Sequence, residues 1–202
     1  MNDFYEKAYT DDEFLEIDIS SSKMENCSFT NCNFKNVIIE KSVINKCTFS
    51  DCEFQSVDMS SSIYNYSAFT NCRFINTTIS WSDFVECKMV GSAFMDTKMA
   101  KIRIKGGNWA YTALTEQNFS EMNLEKAIFK GANLFRCNFE NSNLKETDFS
   151  QAILSYSNFK SADMRGAKID GIDVKTINFE KTKIDIGQAV LISEAYGAIC
   201  EV

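Results

Sequence analysis

The chain has 202 residues, a formal net charge of −7, eight cysteines, no histidine and no proline. The acidic balance disfavours direct nucleic-acid binding, which needs a basic surface. Without histidine the usual Ser/His, Cys/His and metal–His sites are excluded, and no apolar run approaches membrane-spanning length.

From Phe4 to Ile184 every fifth residue is large and apolar, and 16 of the 17 phenylalanines lie in this column. Two places earlier runs a column of smaller residues: Cys27, Cys32, Val37, Ser42, Cys47 and Cys52, and later Ala127, Ala132, Cys137 and Ser142. In an extended segment, positions two apart share a face. Each pentad therefore offers one small and one large side chain to an interior. The other three positions are mostly Asn, Asp, Glu, Lys, Ser and Thr.

Five is a poor helical period, because steps of 100° scatter the apolar positions around the cylinder. It is also odd, so one straight strand would turn alternate apolar residues to opposite faces. A chain that turns a corner in each pentad avoids both problems. Phe29, Phe49 and Phe69 are spaced by 20 residues, as are Phe14, Phe34, Phe54, Phe74 and Phe94. The spacing predicts four pentads per turn, with ring stacked on ring between turns. Such a fixed internal period marks a solenoid. The lack of proline fits a ladder that needs most backbone N–H groups.

In chain order, residues 1–14 keep the large column but not the small one, with Asn2, Lys7 and Asp12 in its place, and are expected as a lead-in or cap. Six net negative charges fall in residues 1–18. Residues 15–184 are expected as the repeat body, about eight and a half turns long. Within it Gly107 occupies the small inward place beside Trp109, giving room for the indole or for a corner with positive φ. The unbroken frame leaves no inserted loop. After Ile184 the period stops. Asp185 and Gln188 read as the N-cap and N3 residues of a helix, with Ala189, Ile192, Tyr196 and Ile199 at helical spacing and Gly197 as its terminator. Residues 185–202 are expected to close the last turn. The apolar Leu191, Ile192, Tyr196 and Ile199 suit a two-fold dimer contact through this end.

Units such as Ala132-Asn133-Leu134-Phe135-Arg136 and Ala162-Asp163-Met164-Arg165-Gly166 resemble the A(D/N)LXX motif of pentapeptide-repeat proteins. The resemblance covers nearly the whole chain and implies an all-β solenoid, a right-handed quadrilateral β-helix, closed here by the C-terminal capping helix. The size, the full-length repeats and the ending from Ile184 through Ile199 look most like the Qnr-type, topoisomerase-protecting branch. That resemblance implies a homodimer through the C-terminal helix. It also implies mimicry of duplex DNA and binding to DNA gyrase and topoisomerase IV, with protection from fluoroquinolones or toxins. Duplex DNA carries about one charge per 1.7 Å of axis, far more than this chain supplies per turn, so mimicry would rest on shape and local acidic patches. The alternative is a protein-interaction scaffold with no topoisomerase partner, since fold alone does not fix function.

Catalysis is not expected: carboxylates are scattered on corners, and cysteines in an apolar interior are poor nucleophiles. No cofactor or metal is expected either. No signal peptide precedes the repeats, and for eight cysteines without a secretion signal a reducing cytoplasm is the expected setting. For partner contact, positions 20 apart place Asp96, Glu116, Arg136 and Tyr156 along one edge. Phe135 is the one phenylalanine outside the inward column and is expected to be exposed beside Arg136. Trp81, Tyr66, Tyr111 and Tyr156 also fall on outward positions. Aromatic residues and Arg are favoured where partners bind.

Overall fold

The computed structural model describes residues 3–201, divided into two compact units, 1–112 and 113–202. In the first unit the chain is a stack of parallel rungs. The first turn supplies β1 (Phe4–Tyr5), β2 (Ala8–Thr10) and β3 (Glu13–Leu15); the second supplies β4 (Lys23–Glu25), β5 (Ser28–Thr30) and β6 (Asn33–Lys35). Pairing joins β1 to β4, β2 to β5 and β3 to β6, always 20 residues apart. The residues expected as a lead-in thus contribute strands to the ladder; Asn2 lies outside the described residues. The sheet begun by β1 has six strands and ends at Arg103–Lys105, five full turns on. The fourth face is held by single bridges, from Asp18 to Ile38 to Asp58 to Thr78 to Lys98.

The 20-residue period puts like on like. Phe29 pairs with Phe49 and Phe49 with Phe69, with ring centroids 4.7 and 4.6 Å apart and ring planes within 3°. Neighbouring columns meet edge to face, as Phe49 does Phe54 at 5.7 Å. Both arrangements suit the ring quadrupole, and aromatic pairs contribute about 0.5–1.5 kcal/mol beyond their area. The small column fills the inner corners. Hydroxyls and thiols there are not stranded: Ser62 Oγ donates to Ile39 O at 2.9 Å and Cys72 Sγ to Phe49 O at 3.3 Å.

Each rung bonds in two directions. The amide before the large residue donates to the previous turn, as Ser28 does to Lys7 O (2.9 Å) and Asn33 to Asp12 O (3.0 Å). The amide two places after the large residue donates to the next turn, as Glu6 does to Glu25 O and Asp11 to Thr30 O, both at 3.0 Å. The corner is made by that second residue. At every pentad from Glu6 to Gly171 it has positive φ, between 49° and 76°. This left-handed backbone turns the chain in the same sense each time, which is how an odd period keeps one face inward. It also explains why Asn, Asp and Gly recur there, since they tolerate it best.

In the second unit the rungs shrink to single bridges with the same spacing, from Ala113–Asn133 to Asp163–Lys183. Its corners are closed by hydrogen bonds: Ala127 N donates to Leu124 O (3.1 Å), Cys137 N to Leu134 O (3.1 Å) and Ala152 N to Phe149 O (2.9 Å). With positive φ confined to Lys126, Arg136 and Gln151 in these turns, they are type II. Asparagines before the large column add a side-chain ladder that sequence reading missed. Asn138 Nδ2 donates to Asn118 Oδ1, Asn158 Nδ2 to Asn138 Oδ1 and Asn178 Nδ2 to Asn158 Oδ1, at 3.3, 3.0 and 2.9 Å. One pentad departs: Val174–Thr176 forms a 3-10 turn capped by Asp173, while Val174 stays buried.

The second unit ends in helix α1 (Ile186–Ala195), entered through a capping box in which Asp185 accepts from Gln188 N and Gln188 Oε1 accepts from Asp185 N. Gln188 is buried, and its Nε2 donates to Met164 O and Ala167 O at 2.6 and 2.8 Å. One side chain thereby caps the helix and ties it to two carbonyls of the last turn, of which Met164 O also accepts from Ala167 N. Gly197, φ 91°, stops the helix with Gly197 N donating to Glu194 O and Ala198 N to Ser193 O, a Schellman arrangement. Tyr196 is therefore the C-cap and Ile199 lies past the helix, not on its face as the spacing suggested.

Candidate protein-interaction surface

Corner residues point outward because their backbone is left-handed and their neighbours face in. In the first unit the corner aromatics Tyr66, Trp81 and Tyr111 are exposed, Trp81 by 66%. Bulky residues are uncommon at positive φ, and such strain gathers at functional positions. Asp96 is an exposed corner of the same unit, φ 50°.

In the second unit the structure brings four expected residues together. Arg136 Nη1 lies 3.4 Å from Glu116 Oε1, one turn back. The same guanidinium sits over the Phe135 ring, 5.0 Å from its centroid. Tyr156, one turn on, meets Phe135 edge to face at 5.8 Å and 85°. Phe135 was expected to be exposed; it is half-buried, because Arg136 and Tyr156 cover it. The corner makes this arrangement: positive φ at Arg136 and Tyr156 swings both side chains off the ladder toward the intervening ring. Glu116 and Arg136 offset each other, so this cluster is an aromatic and guanidinium surface with little net charge. Exposed ion pairs of this kind contribute about 0–1 kcal/mol to stability.

Of the expected dimer residues, Leu191, Tyr196 and Ile199 are exposed, Ile199 by 88%, and Ile192 is half-buried. Ile186, at the start of α1, is a further exposed apolar side chain of this end, 85% exposed, which the helical spacing did not single out.

The buried thiols do not behave alike: a hydrogen bond with Cys72 lowers the Cys52 thiol, whereas others are raised. Burial pushes Cys47 and Cys87 up to about 11 and Cys137 up to about 12, which leaves them protonated at neutral pH and slow as nucleophiles. Among the described residues no cluster of Cys, Asp or Glu could hold a metal ion, and no helix is long and apolar enough to cross a membrane.

A family profile described as pentapeptide repeats matches residues 13–51, 52–91 and 132–171. A trypsin-treated form of QnrB1, described as a plasmid-mediated fluoroquinolone resistance protein, is similar in structure with a TM-score of 0.85. It is 20% identical, over 99% of this chain and 100% of that one. Full-length QnrB1 gives a TM-score of 0.64 at 18% identity, over 95% and 100% of the two chains. HetL of the cyanobacterium Nostoc sp. strain PCC 7120, a pentapeptide repeat protein involved in heterocyst differentiation regulation, gives 0.51 at 12% identity, over 89% and 88%. At such identities the likeness is one of fold. No curated protein matches the chain in sequence.

Proposed function

The chain belongs to the pentapeptide-repeat family, and from that premise we propose that it is a Qnr-type, non-catalytic protein that binds type II topoisomerases in the cytoplasm and protects them from fluoroquinolones or toxins. The observation that carries this reading is the full-length fold likeness to QnrB1, whose description is that of a fluoroquinolone resistance protein. The protein would act as a homodimer joined through Leu191, Ile192, Tyr196 and Ile199, of which Leu191, Tyr196 and Ile199 expose apolar surface that suits a self-complementary contact. Its acidic patches and regular corners would occupy a surface of DNA gyrase or topoisomerase IV that otherwise holds duplex DNA.

A second reading, a protein-interaction scaffold with no topoisomerase partner, is favoured by one feature. Glu116 is neutralised by Arg136, and the best-formed exposed cluster is aromatic rather than acidic.

Gyrase supercoiling in the presence of ciprofloxacin, with the purified protein titrated in, separates the two. Restored supercoiling near equimolar protein supports topoisomerase protection. Inhibition without rescue leaves DNA mimicry and removes drug protection. No effect on gyrase or topoisomerase IV leaves the scaffold.

A further inference from the structure

The first turn of the first unit carries a hydrogen-bonding edge that no described residue uses. β1, β2 and β3 are the terminal strands of three different sheets. In the next turn the amides of Ser28 and Asn33 donate back to Lys7 O and Asp12 O. The equivalent amides of Ala8 and Glu13 have no acceptor among the described residues. Glu25 O and Thr30 O accept from Glu6 and Asp11, whereas their equivalents Tyr5 O and Thr10 O accept from no described residue. Unpaired strand edges template the addition of further strands.

The aromatic column ends at the same place. Tyr9 stacks on Phe29 at 5.0 Å and Phe14 on Phe34 at 4.7 Å. Phe29 and Phe34 are each 1% exposed, while Tyr9 and Phe14 are only half-buried. Each therefore keeps one ring face that a further rung would cover. Residues 3–18 carry Asp3, Glu6, Asp11, Asp12, Glu13, Glu16 and Asp18 with one base, Lys7, while the strands of the second turn add Lys23, Glu25 and Lys35. Among the described residues the polar contacts of the first-turn carboxylates are neutral, such as Asn31 Nδ2 to Asp11 at 2.6 Å and Ser20 N to Asp18 at 2.9 Å.

We propose that this edge is a docking site for an extended, basic polypeptide segment carrying a large apolar side chain. The segment adds one rung, turning the corner that Asp11 turns beneath it, pairing its backbone with Ala8, Thr10 and Glu13 and setting its apolar side chain on Tyr9 or Phe14. Its lysines or arginines meet the surrounding carboxylates. Charge selects the occupant: a second copy of this edge would bring the same excess of carboxylates against the first, whereas a basic strand is attracted. The acidic edge thus refuses its own kind, as exposed edges do, and admits the opposite sign.

The probe is a synthetic peptide of about ten residues, two short runs alternating lysine with valine and phenylalanine joined by an Asn-Gly corner, beside its glutamate counterpart. Amide exchange of the full-length protein is read by NMR. The lysine peptide is expected to slow exchange at Ala8 and Glu13 by tenfold or more, and the glutamate peptide to leave it unchanged. Ala8→Pro removes a donor the ladder does not use, so the thermal midpoint should hold while peptide affinity falls about tenfold, the equivalent of ~1.4 kcal/mol. Joint reversal of Asp11 and Glu13 to lysine should abolish binding of the lysine peptide. Three outcomes overturn the proposal. They are protection confined to other amides, unchanged peptide affinity in Ala8→Pro, and concentration-dependent protection of Ala8 and Glu13 without peptide, which would assign the edge to a second copy.

Discussion

Tyr156 stands edge-on to Phe135, with ring centroids 5.8 Å apart and planes at 85°. The two residues sit on successive turns, and Arg136 closes the other side of the Phe135 ring. Phe135 is the only phenylalanine outside the inward column, so its place is not explained by the core. If this cluster is the contact surface, Phe135→Ala should weaken binding to the proposed topoisomerase partner at least tenfold, as central aromatic residues do. The thermal midpoint should shift little, because the side chain is only half-buried. Binding measured by calorimetry, alongside thermal unfolding of both proteins, checks this. Unchanged affinity would move the contact to the corners of the first unit.

Gly107 was expected to make room for the Trp109 indole or to supply a positive φ. Its φ is 87°, and a Cβ there would run into the backbone carbonyl of Cys87 in the preceding turn rather than the indole. Gly107→Ala combines backbone strain with that collision. It should destabilise the protein by about 1–3 kcal/mol, read from chemical unfolding. A change within a few tenths of a kcal/mol would mean that the turn is looser than it stands here.

Gln188 satisfies two carbonyls and the Asp185 amide with one side chain. Gln188→Ala leaves Met164 O with the Ala167 amide but strands Ala167 O, a cost of about 1–3 kcal/mol. The expected result is lower stability, with the loss of exchange protection concentrated in α1. Uniform loss across the second unit would instead mark α1 as inseparable from the ladder.

Asp163 is held by Arg165, whose Nη2 and Nε lie 2.7 and 2.9 Å from its carboxylate, with Lys145 at 3.6 Å. The hydrogen bonds from Arg165 bring its pKa down from 3.8 to about 2. A carboxyl depressed in the folded state stabilises it fully above the unfolded value. That contribution is lost as pH falls from about 4 toward 2. Asp163→Asn should therefore lower stability at neutral pH and flatten the acid limb in this window. The effect is expected to be modest, because the Arg165 side chain lies in solvent. Unfolding midpoints measured from pH 7 to pH 2 test it. Parallel curves for the two proteins would deny the coupling.

The repeat body and its period were legible because they rest on one requirement repeated many times. Phe29, Phe49 and Phe69 must lie inward, and no helix or flat strand allows that at a spacing of five. The helix start at Asp185 and the stop at Gly197 were legible for a similar reason, since both caps act within a few residues. The first-turn strands were not foreseen as ladder, because residues 3–14 lack the small column although they keep the large one.

What only the tertiary structure decided concerns residues 20 apart in sequence and one rung apart in space. The sequence places Glu116, Arg136 and Tyr156 on one edge. It does not say that Arg136 divides itself between Glu116 and Phe135, because that depends on a left-handed corner and on side chains of neighbouring turns. Nor does it say that Gly107 yields space to Cys87, or that the Ala8 and Glu13 amides meet no acceptor among the described residues at a carboxylate-rich edge. Local periodicity fixes which side chains go inward. Hydrogen bonding between successive turns fixes what the outward ones meet.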